Sequence, residues 1–125
     1  MILGIGTDLA EIARFAGLLE RQGERALTRL LSDAERSHCA SIAQPAAFLA
    51  KRFAAKEAFL KALGTGLRDG LAWSQISVEK DALGKPHLQL SGRAAELAAQ
   101  KGVQQIHLSL SDERAYALAL VVLEG

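Results

Sequence analysis

Apolar residues recur first at strand spacing and then at helical spacing along the N-terminal part of the chain. Residues 1–7 form an apolar run that predicts a strand, apolar enough for the middle of a sheet. From Leu9 to about Arg21 the apolar residues follow helical spacing, and a further helical stretch extends to Leu31. Ser32-Asp-Ala-Glu35 matches the capping-box pattern, so a short helix should begin there.

The remaining pattern predicts a second group of elements that ends in a hairpin. These are a long helix bracketed by Pro45 and Gly64, strands at 73–79 and 87–90, a helix at 94–101, and two hairpin strands at 106–111 and 116–123. The polar face of the first hairpin strand is typical of a solvated surface or a pocket wall. It does not favour a serine hydrolase, because no third residue is placed to orient His107 as the base that activates a serine.

Helices and mostly antiparallel strands in this order predict an α+β fold. We expect a small, mostly antiparallel sheet packed with helices, in one domain over residues 1–125. The sequence contains no repeat, linker or low-complexity segment that would divide the chain.

Charge, cysteine content and hydropathy exclude several classes of partner. With 15 Lys and Arg against 14 Asp and Glu, the near-neutral chain does not favour nucleic acid. Cys39 is the only cysteine, so no internal disulfide forms, and no basic region precedes an apolar leader. The longest apolar run, residues 115–123, is too short to span a bilayer. We therefore expect a cytoplasmic protein that does not bind membranes.

Two acidic residues occur where packing alone does not require them. Asp8 follows the first apolar run, and Glu57 lies between Lys56 and Lys61 on the predicted long helix. Carboxylates are hard oxygen ligands for Mg²⁺, and the lysines supply cations for the phosphates that Mg²⁺ usually binds. The pattern therefore predicts a divalent-metal and phosphate site, and with it phosphoryl or phosphodiester chemistry.

Charged residues of the predicted long helix fall on or beside the arc of its helical wheel that carries the apolar residues. Lys56 lies in the middle of the arc and Arg52 lies within it. Glu57 and Lys61 form an i, i+4 pair at its border. Either the two cations extend past the core and the pair is a weak surface contact, or the group binds phosphate. The Gly64-Thr65-Gly66 turn that follows is equally a tight turn or a phosphate-binding loop.

A basic face is predicted near the N-terminus, provided that helical phase persists past Gly23. Its members, called the arginine stripe below, are Arg14, Arg21, Arg25 and Arg29. The arginine stripe is either a solvated helix face or a docking surface for an acidic protein.

Four segments carry a resemblance that spans nearly the whole chain. They are Gly6-Thr7-Asp8 followed by Glu11 and Arg14; Arg52-Phe-Ala-Ala-Lys56-Glu57-Ala-Phe-Leu-Lys61 with Gly64-Thr65-Gly66; Gly84-Lys85-Pro86; and His107-Leu-Ser-Leu-Ser-Asp112. Together they closely resemble the bacterial holo-[acyl-carrier-protein] synthases, the short type of 4′-phosphopantetheinyl transferase. In some members the last segment ends in histidine where this chain has Asp112, so the role of that histidine is not transferred here.

This resemblance implies a fold, a reaction and a set of partners. The fold would be that of the 4′-phosphopantetheinyl transferases. The reaction would move 4′-phosphopantetheine from coenzyme A to a serine of acyl carrier protein, release adenosine 3′,5′-bisphosphate and support fatty acid biosynthesis. A homotrimer with active sites between subunits is implied as well.

The resemblance and the chemistry of the residues assign the same roles. Asp8 and Glu57 would bind Mg²⁺, and Lys61 would contact the coenzyme A phosphates. Either Glu57 or a metal-bound water would take the serine proton. Further contacts to coenzyme A would come from Arg52, Lys56, Gly64, Gly66 and Pro86, and contacts to the carrier protein from Arg14, Arg21 and Arg25.

Two other functions stay open on the residues alone. A Mg²⁺-dependent phosphodiesterase would use the same ligands and transfer the phosphoryl group to water, so a protein acceptor distinguishes it from a transferase. A non-catalytic adaptor would use only the arginine stripe, and the predicted long helix would then be purely structural. Metal binding distinguishes that adaptor from either enzyme.

Overall fold

Helices and antiparallel strands share the chain, which confirms the α+β prediction. The computed structural model describes residues 1–125. Its elements are β1 (Ile2–Glu11), α1 (Ile12–Gln22), α2 (Glu24–Leu30), α3 (Asp33–Cys39), α4 (Pro45–Leu63), a 3₁₀ turn (Trp73–Gln75), β2 (Ile76–Lys80), β3 (Pro86–Leu90), α5 (Gly92–Gln100), β4 (Gln105–Glu113) and β5 (Tyr116–Glu124). No helix has both the length and the apolarity needed to cross a membrane.

Strand β1 is longer than predicted and lies at an edge of its sheet. The sheet has the order β1-β5-β4 with both pairs antiparallel, and β4 and β5 are the predicted hairpin. Residues 8–11 continue β1 because they pair with residues 116–119 of β5, so α1 begins at Ile12 and not near Leu9. The prediction of a central first strand is wrong, because β5 occupies the centre. Strands β2 and β3 form a separate two-stranded sheet.

Two glycines allow β1 to approach helix α4 closely. A Cβ on Gly4 would lie 2.0 Å from the Ala62 carbonyl oxygen, and one on Gly6 would lie 2.0 Å from that of Ala58. Since these neighbours are backbone atoms, only glycine fits at both positions. Side chains alternate along a strand, so Asp8 lies on the same helix-facing side as the two glycines. Close packing therefore brings the Asp8 carboxylate to α4.

A glycine also interrupts the N-terminal helical region. Gly23 has φ 52° and ψ −126° and separates α1 from α2. A residue with these angles does not continue an α-helix, so the helical phase is lost at this point. The arginine stripe is therefore not one continuous helix face, contrary to the assumption on which it was predicted.

Two local predictions around the short helix and β2 have different outcomes. The capping box is confirmed, since Ser32 Oγ accepts from the Glu35 N–H and Glu35 Oε1 accepts from the Ser32 N–H. The strand predicted from residue 73 begins only at Ile76. Residues Trp73–Gln75 form a 3₁₀ turn instead, in which the Gln75 side chain accepts a hydrogen bond from the Ala72 N–H.

Candidate active site

Lys61 connects the first strand to the long helix. From the last turn of α4, its Nζ donates to Asp8 Oδ1 at 3.1 Å and to the Thr7 carbonyl oxygen at 3.0 Å. The Lys61 side chain is 55% exposed and that of Asp8 is 16% exposed. Because the lysine is largely exposed while the carboxylate is mostly covered, we expect the pair to stabilise the fold by only about 1 kcal/mol. The pair thus leaves both charges within reach of a ligand.

Glu57 lies one turn before Lys61 on α4 and is half-buried. Its Oε1 accepts a hydrogen bond from the Trp73 indole Nε1 at 3.1 Å, whereas Oε2 has no donor within the chain. The predicted pair between Glu57 and Lys61 does not form, because Lys61 binds Asp8 instead. Lys61 therefore pairs with the carboxylate of β1, while the Glu57 carboxylate one turn away on α4 binds Trp73.

Two carboxylates match the number of ligands that a protein usually supplies to Mg²⁺. Mg²⁺ keeps several waters and takes one or two carboxylates together with substrate phosphate oxygens. The chain has no cluster of three or more His, Cys, Asp or Glu side chains that would complete a site alone. Asp8 and Glu57, together with the nearby cation of Lys61, thus fit a site that a phosphate-bearing substrate completes.

Lys56 points into the core, although it neighbours Glu57 in sequence. Its Nζ donates to Glu35 Oε1 at 2.6 Å, to the Leu30 carbonyl at 2.7 Å and to the Trp73 carbonyl at 3.0 Å. The side chain is 0% exposed, and burial lowers the pKa of Lys56 while the Glu35 carboxylate opposes that shift. The interpretation that Lys56 extends past the core to solvent is wrong. All three N–H groups are used, so the structure does not agree with Lys56 as a phosphate contact either.

Glu35 is the buried partner that the sequence patterns missed. Besides Lys56, its carboxylate accepts from the N–H groups of Ser32 and Val78, both at 2.9 Å. This one side chain therefore joins α3, α4 and β2. The capping-box pattern identified Glu35 as a local helix cap and gave no sign of its contacts with α4 and β2.

Arg52 is buried as well, one turn before Lys56. It is 3% exposed, and its guanidinium carbon lies 3.9 Å from the centroid of the Phe48 ring. Burial lowers the pKa of Arg52, and its Nε has no hydrogen-bond partner. The assignment of Arg52 to the coenzyme A phosphates stays a prediction, and this burial does not favour it.

The turn after α4 is more open. Gly64 ends the helix with φ 84°, as predicted, and Gly66 has φ 68°. A Cβ on Gly66 would have no atom within 4 Å, so this backbone faces open space. The Lys101 side chain donates to the Leu63 carbonyl beside the turn. An accessible backbone with a cation nearby is compatible with a phosphate-binding loop.

Three arginines of the arginine stripe line the same cavity as Glu57. The cavity has a volume of about 390 Å³ and apolar walls that include Trp73. Its charged lining consists of Arg14, Arg21, Arg29 and Glu57. Arg25 is exposed but does not line this cavity. Folding thus places most of the predicted docking surface beside Glu57, one of the two predicted metal ligands, although these residues are far apart in sequence.

Pro86 lies in a separate cleft with His107. This cleft has a volume of about 300 Å³ and shares no lining residue with the Glu57 cavity. His107 Nε2 lies 2.9 Å from Glu124 Oε1, and this hydrogen bond lowers the pKa of Glu124. Asp112 pairs with Lys51 at 3.7 Å. Within one chain, therefore, Pro86 and Glu57 do not belong to one site.

Comparisons with known proteins agree on one family. Residues 4–121 match the 4′-phosphopantetheinyl transferase superfamily. The holo-[acyl-carrier-protein] synthase of Yersinia enterocolitica is 55% identical over 124 residues, which cover 99% of this chain and 98% of that protein. The crystal structure of the holo-[acyl-carrier-protein] synthase from Neisseria meningitidis has a TM-score of 0.93 and 40% identity and covers 100% of both chains.

A third relative carries a ligand. The holo-[acyl-carrier-protein] synthase from Helicobacter pylori, in complex with coenzyme A, has a TM-score of 0.84 and 31% identity over 96% of this chain and 99% of that one. These matches confirm the resemblance on which the sequence interpretation depends. The chain therefore belongs to the 4′-phosphopantetheinyl transferase superfamily, in its holo-[acyl-carrier-protein] synthase group.

Proposed function

We propose that this chain transfers 4′-phosphopantetheine from coenzyme A to a serine of apo acyl carrier protein, with Mg²⁺ bound by Asp8 and Glu57. The observation that carries the proposal is the pair of Asp8 with Lys61, one helical turn along α4 from Glu57, which lines a cavity that also contains arginines. The coenzyme A complex of the Helicobacter pylori relative supports coenzyme A as the donor. Release of adenosine 3′,5′-bisphosphate, a cytoplasmic location and a role in fatty acid biosynthesis belong to the same proposal.

On the donor side, the chain supplies charge and backbone groups for phosphates. Mg²⁺ bound at the two carboxylates would neutralise charge on the pyrophosphate and on the departing bisphosphate. The exposed Lys61 ammonium would contact the same phosphate oxygens, and Gly66 would offer open backbone, whereas the Gly64 N–H already donates within the helix cap. Buried Lys56 takes no part in this contact.

On the acceptor side, Glu57 is the group placed to accept a proton. It lines the cavity to which the arginines would bring an acidic carrier, and its Oε2 has no donor within the chain. We assign to this carboxylate the removal of the proton from the carrier serine Oγ as that oxygen attacks phosphorus. Base catalysis of this kind is typically worth about 10²–10⁴-fold.

Intact-mass analysis of the carrier protein tests the proposed function. Apo acyl carrier protein is incubated with this protein, coenzyme A and Mg²⁺, and we expect its mass to increase by one phosphopantetheine group. Omission of coenzyme A is the control. Hydrolysis of coenzyme A without a change in carrier mass would support the phosphodiesterase instead, and no turnover at all would support the adaptor.

The arginine stripe should serve the carrier protein and not coenzyme A. Reversal of charge at Arg21 or Arg25 is expected to raise the KM for carrier protein roughly tenfold and to flatten its salt dependence, because exposed charges mainly change encounter rates. The KM for coenzyme A should change little. Steady-state kinetics at two ionic strengths, with each substrate varied in turn, measures both.

A matched charge reversal controls for net charge. Lys80→Glu changes an exposed cation at the end of β2, outside the arginine stripe, and should leave the carrier KM within twofold of wild type. If the coenzyme A KM rose in the arginine variants while the carrier KM did not, the docking assignment would be wrong.

The sheet face opposite α4 supports the proposal of a homotrimer. Its large apolar residues are exposed: Ile5 by 59%, Leu9 by 64%, Leu118 by 45% and Leu120 by 39%. Leu9 and Leu118 are direct partners across β1 and β5, so the apolar patch is continuous. Contiguous exposed apolar surface usually marks an interaction site. We propose that further copies of the chain cover this face, and that each active site lies between two subunits.

Light scattering during gel filtration should therefore give about three chain masses for the wild type. Leu9→Lys, which places a charge in the centre of the apolar patch, should dissociate the assembly and reduce transfer with it. A wild-type protein that is monomeric and fully active at assay concentration would contradict the shared-site proposal.

A further inference from the structure

We propose that Trp73 is a positioning residue for Glu57, and that the emission of its indole changes when Mg²⁺ and coenzyme A bind. This inference rests on the proposed function. The indole Nε1 donates to Glu57 Oε1 at 3.1 Å. Trp73 lies outside the four segments that carry the family resemblance and is the only tryptophan of the chain. A role in the site therefore comes from the structure and not from the sequence motifs.

Trp73 is itself fixed at its backbone and at its ring. Its carbonyl oxygen accepts a hydrogen bond from buried Lys56 Nζ at 3.0 Å. Its ring packs against Phe53, with the centroids 5.8 Å apart and the planes tilted by 44°. Lys56 and Glu57 are consecutive on α4 and point to different sides, yet both bind Trp73. The indole N–H is thus presented to Glu57 from a well-anchored residue.

An anchored donor restricts the orientation of the Glu57 carboxylate. A glutamate that is only half-buried can otherwise rotate about its side-chain bonds, and each rotation moves the oxygens that would bind metal. Because Oε1 accepts the indole N–H, that oxygen is held in place and rotation of the carboxylate is restricted, while Oε2 remains for metal or for the serine proton. Hydrogen bonds that orient metal ligands typically change metal affinity or activity about 10–100-fold when they are removed.

Trp73→Phe tests the positioning role, because phenylalanine retains the ring against Phe53 and lacks the N–H. Calorimetric titration with Mg²⁺ in the presence of coenzyme A should show that half-saturation requires about tenfold more Mg²⁺ than in wild type. At saturating Mg²⁺ the carrier KM should remain within twofold. Ile76→Val is the matched control: Ile76 is fully buried next to the same turn, so the variant loses packing without touching Glu57. It should bind Mg²⁺ like wild type.

Fluorescence of the single tryptophan provides a readout that does not depend on activity. Addition of Mg²⁺ with coenzyme A should change the emission of wild type, and Glu57→Gln should lose this response. If wild type binds Mg²⁺ and Trp73→Phe binds it equally well, the positioning role is overturned while the proposed function stands. If wild type with coenzyme A binds no Mg²⁺, the metal site and the positioning role are overturned together.

Discussion

Asp8→Ala and Glu57→Gln are each expected to lower the rate of phosphopantetheine transfer by about 10³-fold or more, because each removes a proposed metal ligand and Glu57→Gln also removes the base. The fold should remain. Asp8→Ala removes one ion pair with an exposed lysine, worth only about 1 kcal/mol, and a glutamine at position 57 still accepts from the Trp73 indole. Mass analysis of carrier protein measures transfer, and thermal unfolding measures the fold.

Glu96→Gln is the control for loss of a carboxylate. Glu96 is exposed on α5 and pairs only with Arg93, so its replacement should leave transfer unchanged. Turnover like that of wild type at saturating Mg²⁺ in either site variant would remove that residue from the metal site. A large decrease in unfolding temperature would instead show that the residue contributes to the fold.

Lys56→Met should be strongly destabilising, with a loss of about 3–5 kcal/mol in the free energy of unfolding. It leaves the Glu35 carboxylate buried without its cation, and an uncompensated buried charge is costly. Addition of Glu35→Gln to this variant should recover part of the loss, because the amide oxygen is neutral and still accepts from a backbone N–H. Urea unfolding of the single and double variants measures both effects.

The same variants distinguish a scaffold role from a phosphate contact. At a temperature where the double variant is folded, its KM for coenzyme A should remain near that of wild type, because Lys56 is fully buried. A KM for coenzyme A that rose tenfold in the folded double variant would return Lys56 to the phosphate site. A single variant within 1 kcal/mol of wild type would contradict the buried ion pair.

Several local features of the chain could be predicted without the structure. Pro45 and Gly64 bracket α4 as predicted, and Ser32 with Glu35 forms the predicted cap. These signals depend on backbone geometry within a few residues, which is why a short pattern suffices. The choice of Asp8 and Glu57 as ligands also needed only their chemistry and their places in the pattern. Their ligand role stays a prediction until metal binding is measured.

Contacts between distant segments decided the order of the strands and the partners of the buried and active-site residues. Periodicity does not show which strand is central, and β1 continues through Asp8 because β5 offers it a partner more than a hundred residues away. Helical spacing placed Lys56 on the apolar face but could not identify Glu35 as its partner, since that pair depends on how α3 packs against α4. Similarly, the Trp73 indole reaches Glu57 only because the chain folds back after α4.

The sequence alone determined the local elements and the chemistry available. The tertiary structure decided which charges are buried in the core and which remain at the site, because burial and pairing depend on the packing of the whole chain.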